Sequence, residues 1–402
     1  MERRTVTTLA PVYGGYALAR EEDIGILFIR GALPGEEVEI KLGQRKKDYA
    51  FGDTLRIISP SPYRVDPQCA YFGVCGGCQL QHAAYPYQLE MKRWVLEEAF
   101  RRIGRTDVFP AVAPPGSQFG YRYRGGFKTD GENVGFFAER SRRIVPITRC
   151  PLMVGRINMA MPALRGLGRF APSVSEIHVA TDGAQAVAWL PGVAYDQGII
   201  ERFGGFISGA YFEDRSWGRD SISLDLEGLA YVVSTRSFFQ ANWRMNVALV
   251  RRIAEFVKGS PNKRLLDLYA GAGNFALPLA SLFDEVVAVE EDVSSFADLR
   301  RNIQLNNLKN VRAVRSSVER YRVQGEFDML ILDPPRSGLS TKALTLVRSI
   351  GAKAVCYISC NPTTLARDVS RLGDQYEAGF LQMFDFFPNT HHVEALTILL
   401  LR

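Results

Sequence analysis

Residues 236–402 alternate between apolar strands and helices, and this alternation constrains the fold more than any other feature of the chain. The strand segments read RLLDLY, EVVAVE, VRAVRS, FDMLILD and AVCYISC. Such repetition predicts a parallel, doubly wound α/β sheet. Two strands in succession, over about residues 378–387 and 394–401, come last and predict an antiparallel pair. A plain dinucleotide-binding domain would instead add another strand–helix unit.

Two further parts precede this sheet, so three domains are predicted, over residues 1–60, 61–235 and 236–402. The first contains the short runs GILFIRG, EEVEIKL and LRIISPS, separated by turn signals, and predicts a small β-barrel. The second begins with a helix over about residues 86–103 and continues with alternating segments that predict a mostly antiparallel sheet. The predicted fold class is therefore α/β, with a β-barrel and a central sheet ahead of the doubly wound domain.

Hydrophobic residues make up 47% of the 402 positions and charged residues 23%, which excludes a mostly disordered chain. The basic residues near the N-terminus are not followed by an apolar segment, and no run of about 18 uncharged apolar residues occurs. We therefore expect a cytoplasmic protein that is neither secreted nor inserted in a membrane. Nothing in the sequence indicates an obligate protein partner.

Three of the six cysteines lie close together as C-x5-C-x2-C, at Cys69, Cys75 and Cys78. Six cysteines are too few for a disulfide scaffold in a chain of this length, so the spacing predicts a metal site in a reducing compartment. Radical S-adenosylmethionine enzymes require C-x3-C-x2-C. The five-residue spacer found here excludes that class.

The net charge of +6 is concentrated in residues 101–149, where ten Lys or Arg outnumber four Asp or Glu. Basic and aromatic residues alternate in this stretch, which is typical of single-stranded RNA binding, because cations contact phosphates and rings stack on bases. A sheet with buried rings and solvated arginines would give the same pattern, and we expect both. The predicted RNA contacts are Arg122, Arg124, Lys128, Arg142 and Arg143.

A glycine-rich turn follows RLLDLY, where Gly271 and Gly273 would let backbone N–H groups approach a ligand at a helix N-terminus. Glu290 ends the next strand and could accept both hydroxyl groups of a ribose. These features fit a nicotinamide dinucleotide and S-adenosylmethionine equally. Asp333, followed by two prolines at a later strand end, favours S-adenosylmethionine, because a rigid acidic edge suits its sulfonium and amino groups. A DPP turn can also simply end a strand.

Cys360 lies between the end of AVCYISC and the start of a helix, a position that predicts a lowered thiol pKa and a nucleophile. We interpret Cys356, four residues earlier, as inert core. Glu394 begins the last strand and is the predicted general base, the alternative being a solvated glutamate. The adjacent His391 and His392 suggest a metal site, but they point to opposite sides of an extended chain and no third ligand is apparent.

Seven motifs occur in the order found in RNA uridine C5-methyltransferases, and the chain resembles this family over essentially its whole length. They are CAYFGVCGGCQLQ, RCPL, FFQAN, DLYAGAGNF, DPPRSGL, YISCNPTTLARD and PNTHHVE. The resemblance is strongest to the 23S ribosomal RNA members, which have an N-terminal TRAM domain, an OB-like RNA-binding barrel, and an iron–sulfur cluster. The string GGYALAREEDIGILFIRGALPGEEVEIKL resembles TRAM. Ala270 stands where many members have cysteine, a difference that affects no catalytic residue.

The resemblance implies that residues 236–402 form a class I methyltransferase domain and that residues 1–60 form the TRAM domain. It assigns Cys360 as nucleophile and Glu394 as base. It further implies that S-adenosylmethionine is held by Gln240, Tyr269, Glu290 and Asp333, and that a [4Fe-4S] cluster is held by Cys69, Cys75, Cys78 and Cys150. Tetrahedral zinc would accept the same four thiolates.

The predicted function is methyl transfer from S-adenosylmethionine to C5 of a uridine in RNA, with 23S ribosomal RNA as the favoured substrate and a covalent bond from Cys360 to C6 of the base. Transfer RNA is the alternative substrate. An amino-directed methyltransferase would not need the SCNP and PNTHHVE motifs. A cytosine C5-methyltransferase would carry cysteine after the proline of the DPP segment, where this chain has Arg336. A non-catalytic RNA-binding or assembly protein and a nicotinamide-linked oxidoreductase are the remaining alternatives.

Overall fold

The computed structural model describes residues 2–258 and 263–402, which form three large sheets and one separate hairpin. The fold is mixed α/β, as predicted. No helix within the described ranges is long and apolar enough to cross a membrane.

The first sheet has six strands in the order β1-β5-β6-β4-β3-β2. Its strands are β1 (Arg3–Thr7), β2 (Ala10–Val12), β3 (Tyr16–Glu21), β4 (Gly25–Arg30), β5 (Glu37–Arg45) and β6 (Tyr49–Ser59). Neighbouring strands are antiparallel except β4 and β6, which run parallel. The alternation along β4 buries Leu27 and Ile29 on one face and leaves Phe28 half-buried on the other. One face of this sheet is therefore apolar core.

Helix α1 (Tyr85–Ala99) continues into a π-helical turn over Phe100–Gly104, and a short strand β7 (Ala111–Val112) follows. The helix buries the apolar Met91 and Ala99 and also the polar Gln88 and Lys92, whereas Trp94 is only half-buried. Two polar side chains can lie on the buried face because partners elsewhere in the chain satisfy them.

The second sheet has seven strands in the order β10-β9-β8-β11-β12-β13-β14. Its strands and the two helices beside them are β8 (Arg124–Thr129), β9 (Val134–Phe137), β10 (Ile144–Pro146), α2 (Gly155–Leu164), β11 (Glu176–Thr181), β12 (Ala186–Trp189), α3 (Gln197–Phe203), β13 (Gly209–Tyr211) and β14 (Ser216–Gly218). Adjacent strands are antiparallel except β12 and β13. Phe127, Ile177 and Ala188 pack with Leu164 and Phe203 of the helices to form its core.

A separate hairpin of β15 (Ser221–Leu226) and β16 (Leu229–Ser234) follows, and then helix α4 (Trp243–Lys258). Residues 229–233 belong to the segment for which the sequence predicts the central sheet, but in the structure they pair with β15 instead. Tyr231 packs on Trp243 of α4 at a ring distance of 5.1 Å, so the hairpin belongs to the core on one face of the third sheet.

The third sheet has eight strands in the order β19-β18-β17-β20-β21-β23-β22-β7. Its remaining strands and helices are β17 (Arg264–Leu268), α5 (Ala276–Leu279), β18 (Glu285–Glu290), α6 (Val293–Leu305), β19 (Val311–Arg315), β20 (Met329–Leu332), α7 (Thr341–Ile350), β21 (Ala354–Ser359), α8 (Pro362–Leu372), β22 (Tyr376–Phe384) and β23 (Glu394–Leu401). Strands β17 to β21 are parallel, and β23 is antiparallel to both β21 and β22. The doubly wound sheet with a terminal antiparallel pair has the predicted arrangement.

Successive residues of the parallel strands face opposite sides of the third sheet, and both sides are covered. Leu265 and Ile331 belong to one core, whereas Leu266 and Leu330 belong to the other. Cores on both faces explain the uninterrupted apolar runs of the sequence.

Two segments from the predicted central part lie on this sheet. Strand β7 pairs with β22 at the sheet edge, and Leu96 and Phe100 of the α1 region share a core with Leu365 of α8. Residues 85–112 therefore contact the C-terminal part of the chain rather than the central sheet alone. A two-residue strand has no periodicity, so its partner follows only from tertiary packing.

Candidate active site

Four predicted site residues come together at the carboxyl edge of the parallel strands. Asp333 follows β20, Cys360 follows β21, Glu394 begins β23, and Glu290 ends β18. Ligands of open α/β sheets bind at this edge, because strand ends and helix N-termini converge there.

Cys360 is half-buried in the connection between β21 and α8. Asn361 caps the helix by accepting a hydrogen bond from the Thr363 backbone at 3.1 Å. The sequence position predicted a lowered thiol pKa, and this prediction is wrong for the described structure. Burial raises the pKa of the Cys360 thiol to about 11, with Glu394 adding to the rise and Arg336 opposing it.

Glu394 is buried at the start of β23. The antiparallel register of β21 and β23 ends at the pair Ser359 and Ala395, so Cys360 and Glu394 both lie directly beyond that pair at the same end of the two strands. The charge of Glu394 acts on the Cys360 thiol. Burial and the neighbouring Asp333 raise the pKa of the Glu394 carboxyl well above its usual range. Glu394 is therefore not a solvated glutamate, and its environment makes its carboxylate a stronger base than that of a solvated glutamate.

The DPP segment carries Arg336 to the reacting pair. The backbone oxygen of Arg336 accepts hydrogen bonds from Asn361 Nδ2 at 3.1 Å and Thr364 Oγ1 at 3.3 Å. The buried carboxylate of Asp368 accepts from the Leu339 backbone at 2.8 Å. These contacts tie the DPPRSGL loop to helix α8 and keep a positive charge beside the thiol. The sequence analysis used Arg336 only as evidence against a cytosine C5-methyltransferase and did not predict that it lies near the thiol.

The cofactor side of the site is acidic. Burial raises the pKa of Asp333 to about 7, and the Gln240 amide opposes the rise by donating to Asp333 Oδ2 at 3.4 Å. Burial also raises the pKa of Asp267 well above its usual range, with Asp333 and Glu290 contributing, and it raises the pKa of Glu290 itself. Three neighbouring carboxyl groups with raised pKa values form a pocket that a positively charged ligand would stabilise.

Asp267 was missed by the sequence reasoning. One carboxylate oxygen accepts from the Ala276 backbone at 3.0 Å, whereas the other is buried without a hydrogen-bond partner among the described residues. A charged residue within the apolar segment RLLDLY was the available signal. An orphaned buried oxygen is costly, so it fits a site that is completed by a ligand with donors.

The glycine turn adopts the conformation that its composition predicted. Tyr269 and Gly273 have positive φ angles of 69° and 100°. A Cβ atom at Gly273 would lie 2.6 Å from Leu277 Cγ, so only glycine fits. The Gly271 backbone donates to Glu290 Oε2 at 2.7 Å and fixes that carboxylate across the pocket. Tyr269, Gly271 and Glu290 thus border one side of the candidate cofactor site.

Gln240 is held by the segment that joins β16 to α4. The Asp298 carboxylate accepts from the Ser234 backbone at 2.9 Å and from Ser237 Oγ at 2.5 Å, which fixes the turn before Gln240. Asn242 donates to the Phe386 carbonyl at 3.1 Å. Gln240 is buried against Asp333, as expected of a residue that completes the cofactor pocket.

The four predicted cluster cysteines line a single cavity, together with Gln81, Arg122, Arg149 and mostly apolar side chains. All four are free thiols and partly buried. Burial raises the pKa of Cys78 to about 12 and also raises the pKa of Cys150, with smaller contributions from neighbouring thiols. Within the described ranges, no group of three or more His, Cys, Asp or Glu side chains is arranged so as to hold a metal ion. The donor set is chemically suited to a sulfur-bound cluster, because no carboxylate or imidazole lines the cavity.

The cysteine loop contacts the loop that leads to Glu394. The backbone N–H groups of Gln79 and Leu80 donate to the Asn389 carbonyl at 3.1 and 3.0 Å. Gln79 Oε1 lies 3.0 Å from His391 Nδ1. Cys78 directly precedes these two residues, so the position of the cysteine loop determines the position of the PNTHHVE loop.

Helix α1 supports the same loop from the other side. Lys92 forms a buried ion pair with Asp385 at 2.7 Å and donates to the Phe387 carbonyl at 3.0 Å. Gln88 exchanges hydrogen bonds with Asn389 at 2.8 and 3.1 Å. These two buried polar residues of α1 therefore have partners in the catalytic loop, which explains why polar side chains lie on the buried face of the helix.

The predicted RNA contacts fall into two groups. Arg124 and Lys128 have intramolecular partners: Arg124 donates to the Ser237 carbonyl at 3.1 Å, and Lys128 pairs with Glu176 at 2.7 Å. Arg122 lies over the Phe387 ring at 5.4 Å and borders the cysteine cavity.

Arg142 and Arg143 form the second group, since both are exposed in the turn between β9 and β10. Phe238, which precedes Gln240 by two residues, has 63% of its surface exposed, and the Arg124 guanidinium lies 5.5 Å from its ring centroid. The sequence reasoning did not predict Phe238 as an RNA contact. Its place in FFQAN next to Gln240 was the available signal.

The sheet order, the terminal antiparallel pair and the acidic edge beside the glycine turn define a class I methyltransferase. A family model described as tRNA (Uracil-5-)-methyltransferase matches residues 214–402. An uncharacterized RNA methyltransferase of Aquifex aeolicus is 31% identical over 96% of this chain and 96% of its own length. The 23S rRNA (uracil(1939)-C(5))-methyltransferase of Klebsiella pneumoniae is 34% identical over 98% of this chain and 94% of its own.

A solved structure covers the same length. The tRNA (uracil-54, C5)-methyltransferase of Pyrococcus abyssi, in complex with S-adenosyl-L-homocysteine, superimposes with a TM-score of 0.81 and 25% identity over 99% of both chains. The chain therefore belongs to the RNA uracil-C5-methyltransferase family. The predicted enzyme class, an S-adenosylmethionine-dependent RNA methyltransferase, is confirmed, whereas the roles of individual residues stay predictions.

Proposed function

We propose that this protein methylates C5 of a specific uridine in 23S ribosomal RNA through a covalent intermediate on Cys360. The observation that carries the mechanism is the register of β21 and β23, whose last pair, Ser359 and Ala395, brings Cys360 and Glu394 to the same end of the two strands, where the charge of Asp333 acts on Glu394. A nucleophile and a base on one face of a sheet edge suit a reaction in which one group adds to C6 and the other removes the hydrogen from C5.

The reaction needs a nucleophile because C5 of uracil is too weakly nucleophilic to accept a methyl group. The Cys360 thiol first gives its proton to solvent, and the thiolate then forms an S–C6 bond while the C5–C6 π electrons shift to give an enolate. Arg336 favours the thiolate, since its positive charge opposes the rise in the Cys360 pKa. Covalent catalysis of this kind divides one difficult step into easier ones.

S-adenosylmethionine supplies the methyl group to the enolate carbon when it is bound. The Glu394 carboxylate then takes the hydrogen from C5 as a proton, the C–H electron pair restores the C5–C6 double bond, and the S–C6 bond breaks to return the thiolate. The raised pKa of Glu394 makes its carboxylate a stronger base than a solvated glutamate. Glu394 then releases this proton to solvent, so every proton and electron pair is accounted for by Cys360, Glu394, the cofactor and solvent.

We assign the cofactor to the pocket bordered by Gln240, Tyr269, Gly271, Gly273, Glu290 and Asp333. The acidic carboxyl groups support a cofactor that carries a sulfonium and an amino group, both positive. Asp267 is added to the set because its unpartnered buried oxygen needs a donor. A neutral or anionic ligand would leave three pKa-raised carboxyl groups without compensation.

We further infer that Cys69, Cys75, Cys78 and Cys150 hold a [4Fe-4S] cluster and that residues 1–60 act as a TRAM domain beside a central domain of residues 61–235. The shared cavity and its all-sulfur donor set support the cluster. The cluster would crosslink the cysteine loop to the second sheet, and so hold the loop that contacts Asn389 and His391. This role is structural and requires no electron transfer.

Ribosomal RNA is favoured over transfer RNA by the full-length relatives. The Klebsiella pneumoniae enzyme that acts on 23S rRNA is 34% identical, and the Pyrococcus abyssi enzyme that acts on tRNA is 25% identical. We assign RNA contact to the exposed Arg142 and Arg143 and base stacking to the exposed ring of Phe238. Arg122, Arg124 and Lys128 support this surface from within, since they already have ring or hydrogen-bond partners.

The proposed substrate is tested by mapping 5-methyluridine in total RNA from cells with and without the gene. One 5-methyluridine in 23S rRNA should disappear on deletion and return with the wild-type gene but not with Cys360→Ala. Loss of a tRNA modification with intact rRNA would overturn the substrate assignment and keep the enzyme class.

A further inference from the structure

The turn between β2 and β3 lies directly against the catalytic loop, although it is separated from it by most of the chain. The Tyr13 ring meets the His391 ring edge-on at a centroid distance of 5.4 Å and an angle of 86°. Gly15 has a φ of +81°, and a Cβ atom there would lie 2.5 Å from Gln79 Cβ and 3.5 Å from His391 Cβ. At Gly15 the backbone of the first sheet therefore lies so close to Gln79 that a side chain would not fit, and it also lies close to His391, three residues before Glu394.

The half-buried phenol of Tyr13 lies between the first sheet and the catalytic loop. Tyr13, His391 and Val393 line one cavity there, and Val393 directly precedes Glu394. Burial raises the pKa of Tyr13, and the charges of Arg336, Cys360 and Glu394 also act on its hydroxyl. Because electrostatic effects of this kind weaken with distance, these three groups lie near the hydroxyl.

The Tyr13 hydroxyl is available as a donor. Its pKa is raised, so it keeps its proton at neutral pH. Among residues 2–258 and 263–402, no side chain forms a hydrogen bond with it. A neutral O–H group beside the nucleophile can therefore face a bound base.

We propose that Tyr13 donates a hydrogen bond to the C4 carbonyl oxygen of the target uracil. The inference rests on the covalent mechanism proposed above. When the S–C6 bond forms, the displaced π electrons place negative charge on the oxygen of C4. After C5 has taken the methyl group, the carbonyl is restored. A fixed donor aimed at an oxygen where charge develops lowers the barrier, and the phenol keeps its proton throughout.

The first sheet then has a second role besides any contact with RNA, because it supplies one wall of the base pocket. Gly15 and Gln79 hold that wall in place, and Gln79 also contacts His391. A base would enter between the Tyr13 hydroxyl and the thiol of Cys360. The active site is therefore composite, with groups from both ends of the chain.

The test compares Tyr13→Phe, Tyr13→Ala and the matched control Tyr63→Phe, whose ring stacks on Tyr87 at 4.3 Å on a different part of the surface. The probe is a 23S rRNA transcript in which 5-fluorouridine replaces uridine, and the readout is the single-turnover rate of covalent adduct formation. We expect Tyr13→Phe to slow adduct formation by about 10²- to 10³-fold, the usual effect of removing one such donor. RNA affinity, S-adenosylmethionine affinity and the control variant should be unchanged.

An adduct rate for Tyr13→Phe equal to that of the wild type would overturn the inference. Slow reaction of Tyr13→Ala alone would show that the ring packs against His391 without donating, and would overturn it as well. Failure of the wild type to form any adduct would instead contradict the covalent mechanism itself. The two kinds of failure are therefore distinguishable in one experiment.

Discussion

Cys360 and Glu394 flank the Ser359–Ala395 pair with which the antiparallel register of β21 and β23 ends. Residues paired in such strands have Cβ atoms about 4.5–5.5 Å apart, so residues that flank one pair at the same end are neighbours. A nucleophile and a base are thus placed at one end of the same two strands.

The pairing makes the covalent mechanism testable with RNA that contains 5-fluorouridine. The Cys360 thiolate can add to C6 and the methyl group can be transferred, but Glu394 then finds fluorine where the hydrogen should be. Fluorine cannot leave as a cation, so the protein should stall as a covalent adduct that migrates slowly on a denaturing gel. Peptide mapping should locate the link at Cys360.

Variants of the two residues should separate their roles. Cys360→Ala should form neither adduct nor product. Glu394→Gln should accumulate adduct on ordinary RNA, because addition is intact and proton removal is not. Methylation of uridine by Cys360→Ala would contradict the covalent mechanism.

Arg336 should set the pH dependence of adduct formation. The Cys360 pKa of about 11 is higher than neutral pH, so the thiolate fraction, and with it the rate, should rise about tenfold per pH unit below that value. Arg336→Met removes the charge that opposes the rise in pKa, so its profile should shift to higher pH. Arg336→Lys should retain most of the wild-type profile. Superimposable profiles for all three proteins would show that Arg336 does not affect the thiol.

Cofactor binding should depend on pH through Asp333. Its pKa of about 7 means that the carboxyl is largely protonated below that value before the ligand binds, while a positively charged ligand requires the carboxylate. Affinity for S-adenosylmethionine should therefore weaken as pH falls from about 7 to about 5, by up to about tenfold per unit. Calorimetry at several pH values checks this expectation. Asp333→Asn should bind weakly and with a flatter pH profile; an unchanged profile would assign the titration to Asp267 or Glu290.

Asp333 should also affect folding stability. Its pKa is raised in the folded state, so the folded protein binds more protons than the unfolded chain, and stability contributed by protonation is lost as pH rises from about 4 to about 7. Asp333→Asn should remove that loss. Denaturant melts of the two proteins at about pH 5 and pH 8 would measure it, and parallel changes in both proteins would contradict the assignment.

The cysteine assignment predicts iron and sulfide in protein purified without oxygen, with broad absorption in the visible range. Cys75→Ser and Cys150→Ser should lose the metal, whereas Cys356→Ala, which changes a buried thiol of β21, should retain it. Stoichiometric zinc without iron would contradict the iron–sulfur assignment and would indicate a tetrahedral zinc site instead.

The exposed arginines of the β9–β10 turn should contribute to RNA affinity through phosphates. Replacing Arg142 and Arg143 with Gln should lower the slope of log affinity against log salt by roughly 0.7 to 0.9 for each phosphate that is no longer neutralised. Arg300→Gln with Lys309→Gln removes equal charge from another exposed region and serves as the control. An unaltered slope would show that Arg142 and Arg143 do not contact phosphates, and the first sheet would then be the next candidate for the RNA-binding surface.

Local sequence signals predicted much of the candidate site, because each depends on a short stretch of chain. The strand ends at Asp333 and Cys360, the glycine turn at Gly271 and the final strand at Glu394 all occur where hydrophobic periodicity and turn residues placed them. The same signals could not give the Cys360 pKa, since burial outweighs the helix N-terminus and burial is a property of the packed molecule.

The sequence by itself determined the doubly wound sheet, the order of the motifs and the residue types available for chemistry. Tertiary structure alone decided which distant residues meet: β7 with β22, Gln79 with His391, and Tyr13 with His391. The physical reason is that periodicity and turn propensity act over a few residues, whereas these contacts join segments hundreds of positions apart. They form only when complementary surfaces pack, and no local pattern encodes their partners.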